Sequence, residues 1–382
     1  MLGSVQRELD TFFKELFGRR VSDREVSASA FTQARKKFRH TAFIALNQSA
    51  VSHTYETSSH IERLGEFRVL AIDGSKLRLP ESRKIRKHFG PAQKAPGMEG
   101  PPMALISQCY DVVNGIILDA AISPINTGER QLAREHFKFF EETDLLLLDR
   151  GYCGYLFFQA ILKAGAEFCC RVPCDWSGPV TAFTASGELQ EVIELPPGRD
   201  ARRQCEAEGL PVEPLRLRAV RIELPAGEAE ILLTSLVFED FDSEFFKELY
   251  HLRWCEEEAY KHLKGPAEME NFSGKSVEAV LQDFYARIFI VNLTAMLALP
   301  LQEEVERKTA ARKHQYAINW TSALSKVREC GIQLFLGTDI DTLIRDLEIA
   351  LTEGLSPRRP GRSYERKKGI RKSRFVMNQK RI

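Results

Sequence analysis

The chain has no CxxC pair. Its eight cysteines are Cys109, Cys153, Cys169, Cys170, Cys174, Cys205, Cys255 and Cys330, and the cluster at 169–174 has no histidine nearby at zinc spacing. A structural zinc site is therefore not expected; buried reduced thiols are. The opening residues, MLGSVQRELDTFFKELFGRR, do not read as a signal peptide, because Glu8, Asp10 and Glu15 interrupt any apolar run. The apolar stretch ARIFIVNLTAMLALPL (286–301) is shorter than the roughly 18–20 residues that span a bilayer, and it holds Arg287 and Asn292. A soluble protein of a reducing compartment is expected, cytoplasmic and with no membrane partner. There are no internal repeats. Net charge is small as well: 54 Lys and Arg against 53 Asp and Glu give +1.

What the total hides, the distribution shows. From Arg358 onward the chain carries Arg358, Arg359, Arg362, Arg366, Lys367, Lys368, Arg371, Lys372, Arg374, Lys380 and Arg381 against Glu365. Those eleven cations and one acid make the tail +10, so the body before it is −9. A basic tail on a mildly acidic body suits an anionic polymer, although such a tail also serves simply as a solubilising segment. With 382 residues, 43% hydrophobic and 28% charged, the rest has globular composition and is too long for one simple core.

Residues 1–60 read as helical. In VSASAFTQARKKFRH (26–40), Ser27 or Ser29 is a candidate cap. Phe31, Ala34 and Phe38 share one face, and Arg35, Lys36, Lys37 and Arg39 occupy the others. A DNA-contacting helix and a plain surface helix both fit. FRVLAIDGSKLRLP, from Phe67, reads as a buried strand ending at Asp73-Gly74-Ser75. ALISQCYDVVNGIILDAAISP (104–124) reads as two strands with a hairpin turn at Asn114-Gly115. A helix over 126–142 follows, then a buried strand Asp144–Leu148 ending in Asp149, a helix near 155–164, and a strand over 167–173. Residues 174–240 have Gly/Pro turns between short alternating segments, an antiparallel β texture. From Ser243 the chain is helical through Lys264, and again over about 276–299. ESRKIRKHFG supplies a basic loop with Lys84, Arg86, Lys87 and His88, suited either to phosphate or to solvent.

Asp73 and Asp149 each end a strongly apolar strand. Ligands of open α/β sheets gather at such ends. A carboxylate there is costly without a cation or donors, so two on one sheet suggest a metal site of the hard, oxygen-liganded kind. Residues 248–265, ELYHLRWCEEEAYKHLKG, offer a third acid. At 100° per residue Tyr250, Arg253, Trp254, Glu257, Lys261 and Lys264 fall within a roughly 100° arc, with Glu256 and Glu258 to either side. The arc singles out Glu257. Arg253 and Lys261 are also its i−4 and i+4 ion-pair candidates. Guanidinium and ammonium groups hold phosphate oxygens, and an indole stacks an unpaired base.

Tyr250, Arg253, Glu257 and Lys264 spell Y-x2-R-x3-E-x6-K, and the sequence resembles the bacterial insertion-sequence transposases of the "insertion sequence four" family, whose YREK signature has that spacing. IDGS (72–75) and DRGY (149–152) resemble the same family's two aspartate motifs, in the same order. The resemblance covers about residues 65–300. It implies an α/β, RNase H-like mixed sheet flanked by helices, with helical N- and C-terminal regions. The corresponding divisions are a helical DNA-contacting region 1–64, a catalytic domain 65–173 and 241–300, a β-rich insertion 174–240 between the second Asp and the Glu, a helical region 301–357 and a basic tail 358–382. It also implies a DNA transposase in which Asp73, Asp149 and Glu257 hold two Mg²⁺ or Mn²⁺ ions. Tyr250, Arg253, Trp254, Lys261, Lys264 and Arg150 would contact DNA. Partners implied are double-stranded DNA, both element ends and target, and a second copy of the chain in a synaptic dimer. The competing readings are a decayed or domesticated DNA-binding protein and, from IDGS alone, an aspartate-nucleophile phosphatase; Ser75 stands where the latter needs its second acid.

Overall fold

The computed structural model describes residues 4–95, 98–223, 229–237, 241–337 and 339–357. The basic tail, 358–382, lies outside them. The described chain forms two compact units, one within Met1–Ile61, Lys76–Ala104 and Tyr260–Ile382, the other Glu62–Ser75 with Leu105–Ala259.

The strands are β1 (Arg68–Arg78), β2 (Pro91–Ala95), β3 (Met98–Asp111), β4 (Ile116–Pro124), β5 (Asp144–Leu148), β6 (Glu167–Val172), β7 (Gln190–Leu195), β8 (Leu215–Glu223) and β9 (Ala229–Thr234). They form one mixed sheet in the order β2-β3-β1-β5-β6-β9-β8-β7, with β4 paired to β3. β5 lies parallel to both β1 and β6, while β6-β9-β8-β7 is antiparallel. The segment 174–240 therefore contributes its strands to this sheet.

The centre of the sheet explains the site. Leu145, Leu146, Leu147 and Leu148 are fully buried, each contributing roughly 1.5–3 kcal/mol by leaving water. Register is fixed at the opposite end. Arg68 pairs with Asp144 across β1 and β5, its Nε 2.6 Å from Oδ1 and Nη2 2.9 Å from Oδ2, both side chains buried. From Arg68↔Asp144 the parallel register runs to Ala71↔Leu147. Two further residues set Asp73 level with Asp149. The helix Ser243–His251, capped by Asp242, packs Phe246, Leu249 and Tyr250 on the face built by Val69, Ala71, Leu145 and Leu147. The hairpin forms as read, with Asp111 accepting from the amides of Val113 and Asn114 and Gly115 at φ +72°. A buried Ser107–His136–Asp119 chain ties β3 and β4 to the turn that carries His136.

Four local readings change. β1 does not end at Asp73-Gly74-Ser75 but runs on to Arg78; what ends is its full burial, after Ile72. Residues 126–142 give a short helix, Glu129–Ala133, and then a 3₁₀ stretch, Arg134–Phe139. Gly178–Ser186, within the segment read as β, is a helix: Ser177 caps it, Pro179 occupies its first turn, and Gly187 closes it at φ +77°. The basic loop is a helix, Arg83–Phe89, capped by Ser82.

The other unit is mainly helical. The helix read over 26–40 spans only Ala28–Arg35, and Phe38 is exposed. Arg35 does not face solvent; it reaches Asp283 at 2.8 Å and the carbonyl of Ala279 at 3.0 Å. Val277–Ala298 is a 22-residue helix, longer than the apolar run read from sequence. With its continuation to Thr309 it is long and apolar enough to cross a membrane. Its packing is that of a core helix: Val280, Phe284 and Ile288 are buried, and Asn292 donates to buried Asn47 at 2.9 Å.

Candidate active site

Asp73 and Asp149 lie side by side because the parallel register puts them there. Asp149 leaves β5 and caps the next turn, its Oδ1 accepting from the Gly151 amide at 2.7 Å. Asp73 accepts from the Gly74 amide at 2.8 Å. Burial pushes the Asp73 carboxyl up to about 6, with the charges of Asp149 and Glu129 adding to it and the Gly74 amide and Arg253 opposing. An acid held that high is short of positive charge.

A buried glutamate, Glu256, feels the charge of both. It is 0% exposed. Burial raises it well above the carboxylate range, and the charges of Asp73 and Asp149 raise it further; Arg253 and the Asp73 amide pull only partly against this. Glu257 is 29% exposed and pairs at 3.2 Å with Arg253, whose charge also acts on Asp73 and is acted on by Asp149. The stretch 248–265, read as one helix, is interrupted. The chain forms two helices, Ser243–His251 and Trp254–Lys264. Between them the amides of Leu252, Arg253, Cys255 and Glu256 bond back three residues rather than four. A 3₁₀ step turns about 120°, so four such steps rotate the following face by roughly 80° relative to an α-helix.

The same rotation sorts the aromatic and basic residues. Tyr250 is buried and donates to the Leu148 carbonyl at 3.3 Å. It braces the end of β5 rather than presenting a hydroxyl to solvent. Arg253 is buried too, between the rings of Tyr250 and Trp254 at 5.9 and 5.5 Å, with its guanidinium on Glu257. Trp254 is 48% exposed.

Two neighbours were not singled out from sequence. The Tyr152 hydroxyl is buried without a partner, and burial together with Asp73 and Glu256 keeps it protonated. Glu129 lies so close to Gly74 that a Cβ there would meet its Cγ at 2.7 Å. The only available signal for Glu129 was its place in the first turn after NTG, and an exposed helix-start glutamate is commonplace.

Residues 65–293 match the family described as Transposase DDE domain. The chain belongs to this family of DDE-domain transposases. It is also similar to the transposase InsG for insertion sequence element IS4 of Escherichia coli (strain K12), 22% identical over 312 residues, which cover 80% of this chain and 66% of that protein. The chain thus spans just under two thirds of that relative's length, and the resemblance to the insertion-sequence-four group is borne out. A solved chain, piggyBac transposase in a cryo-EM synaptic complex with hairpin DNA, aligns at TM-score 0.39 and 11% identity, covering 78% of this chain and 59% of that one.

The remaining signature residues of this DDE-domain chain lie on and beside the same elements. Arg150 is exposed in the turn after Asp149. Lys261 is exposed, and the Lys264 ammonium donates to the Lys76 carbonyl at 2.9 Å. Among the described residues no three carboxylate, imidazole or thiol groups already stand at metal-holding spacing. The fit to a metal is one of chemistry: oxygen donors, a fully buried carboxyl and a raised Asp73 are what a hard divalent cation would compensate.

Proposed function

We propose that this chain is a DNA transposase that cuts DNA at element ends and joins them to target DNA, by in-line displacement at phosphorus. The observation that supports the reading is the parallel β1–β5 register that brings Asp73 level with Asp149, in a chain of the DDE-domain family. The signature assigns the third acid to Glu257. A second assignment is Glu256, whose buried carboxyl is raised by the charges of Asp73 and Asp149. Two Mg²⁺ or Mn²⁺ ions held by these acids would activate water or a 3′-hydroxyl and stabilise the leaving oxygen.

The protein's own residues supply the rest. Leu148 and Tyr250 hold the end of β5 and keep Asp149 level with Asp73. Arg253 holds Glu257 and stiffens the stretch before the glutamates. Exposed Trp254 offers an indole face to a base that has left the duplex. Arg150, Lys261 and Lys264 offer cations to phosphate. In this reading the sheet is RNase H-like, 174–240 is an insertion that shapes the DNA path, and a second copy of the chain supplies the other active site of a synapse in the bacterial cytoplasm.

The test is cleavage of a supercoiled plasmid carrying the element's flanking ends, with Mg²⁺ or Mn²⁺. Wild type and Glu258→Ala are expected to cut, and Asp73→Ala and Asp149→Ala to lose at least 100-fold. Loss in Glu257→Ala with cutting by Glu256→Ala supports the signature assignment; the reverse supports Glu256. End binding without cleavage by wild type would support the decayed DNA-binding protein instead.

A further inference from the structure

Immediately after Asp73 the chain becomes strongly basic. Between Lys76 and His88 it carries Lys76, Arg78, Arg83, Lys84, Arg86 and Lys87 against Glu81 alone, in a body whose net charge is −9. This whole stretch lies in the mainly helical unit. Its folding sorts every cation but one to the outside. At the end of β1, Leu77 and Leu79 are buried while Lys76 and Arg78 are exposed. In the helix Arg83–Phe89, Ile85 and Phe89 are fully buried, and Arg83, Lys84, Lys87 and His88 are exposed. Offsets of 0, 1, 4 and 5 residues spread these four over about 140° of the helix surface.

The local acids do not neutralise this face. Arg86 takes both: its Nε and Nη2 meet Glu81 at 3.0 and 2.8 Å, and its Nη1 meets Glu99 at 3.1 Å. Glu270 accepts from the backbone amide of Arg78. Among the described residues, Arg83, Lys84 and Lys87 have no ion-pair partner. Ser82 fastens the helix, accepting from the Ile85 amide and donating to the Lys275 carbonyl at 3.0 Å, which brings exposed Lys275 to the same end. Like charges at i and i+4 repel, so this surface gains from a polyanion. The seven-residue helix is about 10 Å long, the span of roughly three phosphates on one DNA strand. Its clustered ammonium and guanidinium groups on so short a helix suit the closely spaced charges of phosphates.

We propose that the surface formed by Lys76, Arg78, Arg83, Lys84 and Lys87 grips the sugar–phosphate backbone of duplex DNA without reading its sequence. The proposal rests on the transposase reading above. The experiment compares wild type with two triple variants of the full chain: Arg83→Gln/Lys84→Gln/Lys87→Gln and, as an equal-charge control, Arg307→Gln/Lys308→Gln/Lys313→Gln, exposed on and just after the helix Gln302–Thr309. Binding to a fluorescent duplex of arbitrary sequence is followed by anisotropy between 50 and 200 mM KCl, with thermal unfolding measured alongside. The first variant is expected to unfold as wild type does, bind more than tenfold more weakly at the low-salt end, and lose roughly 2–3 from the log–log salt slope, at about 0.9 per contact. The control is expected to keep the wild-type slope. Equal loss in both variants reduces the effect to net charge and overturns the proposal. So does an unchanged slope in the first variant while wild type binds and cuts, which leaves the transposase reading standing. A wild type that binds no DNA at any salt overturns both.

Discussion

Asp73 is held near 6 where an unfolded chain would hold it at 3.8, because it is buried beside Asp149 and Glu129. The sign of its effect on stability follows from proton counting. Between those two values the folded state binds more protons than the unfolded one, so folding is favoured on the acid side. That contribution is lost as pH climbs from about 4 through 6, and two units correspond to about 3 kcal/mol. Asp73→Asn in metal-free protein is therefore expected to raise stability at pH 7.5 by about 1–3 kcal/mol and to leave it nearly unchanged at pH 4, as read by urea denaturation. A divalent cation competes with the same proton. The rise in Tm on adding Mg²⁺ should accordingly be larger at pH 8 than at pH 5, and equal shifts at both would count against Asp73 as a ligand. The aspartates were legible because a carboxylate after a Leu-rich strand is chemically conspicuous. The burial of Glu256 was not, because it depends on how four amides bond between residues 252 and 256.

At the scale of elements, the parallel pair β1 and β5 carries the site, and its register depends on an ion pair far from the chemistry. Arg68 and Asp144 are both buried, so removing Asp144 leaves the Arg68 guanidinium to the half-exposed Glu141, 3.1 Å away. Asp144→Ala is expected to cost about 3–5 kcal/mol, whereas Arg68→Met/Asp144→Leu together should cost much less. Measured unfolding free energies decide this; equal losses would mean that packing, not charge, sets the register. A smaller effect belongs to the helix Gly178–Ser186. Gly187 has φ +77° with open space around its Cα, so Gly187→Ala should cost about 1 kcal/mol through backbone strain alone. The strands Asp144–Leu148 and Glu167–Val172 and the Asn114-Gly115 hairpin were readable because burial and turn chemistry agree with local propensity. The Gly178–Ser186 helix was not: Ser177, Pro179 and Gly187 mark its ends, but the apolar residues between alternate closely enough to pass for a strand. Likewise, Arg35 was assigned to a solvent-facing basic surface because sequence does not reveal that Asp283, 248 residues away, accepts from it.

For the whole molecule, near-neutral net charge conceals two opposed parts, a body at −9 and a terminal stretch at +10. Long-range attraction to DNA depends on where charge lies more than on its total. A chain ending at Pro357 keeps the sheet, the acids and the basic helix Arg83–Phe89, yet carries a repulsive overall charge. If the tail acts through its charge alone, the shortened chain unfolds at the same temperature as the full one. Its association with duplex DNA should slow by at least tenfold at 50 mM salt, and that deficit should shrink by 200 mM as screening shortens to about 7 Å. Cleavage after binding should be unaltered, so kcat holds while KM rises. Stopped-flow association at the two salts, with single-turnover cleavage at saturating protein, separates these steps. Unchanged association would mean that the terminal charges do not reach DNA. A fall in kcat would mean that the tail acts at the chemical step rather than on the approach.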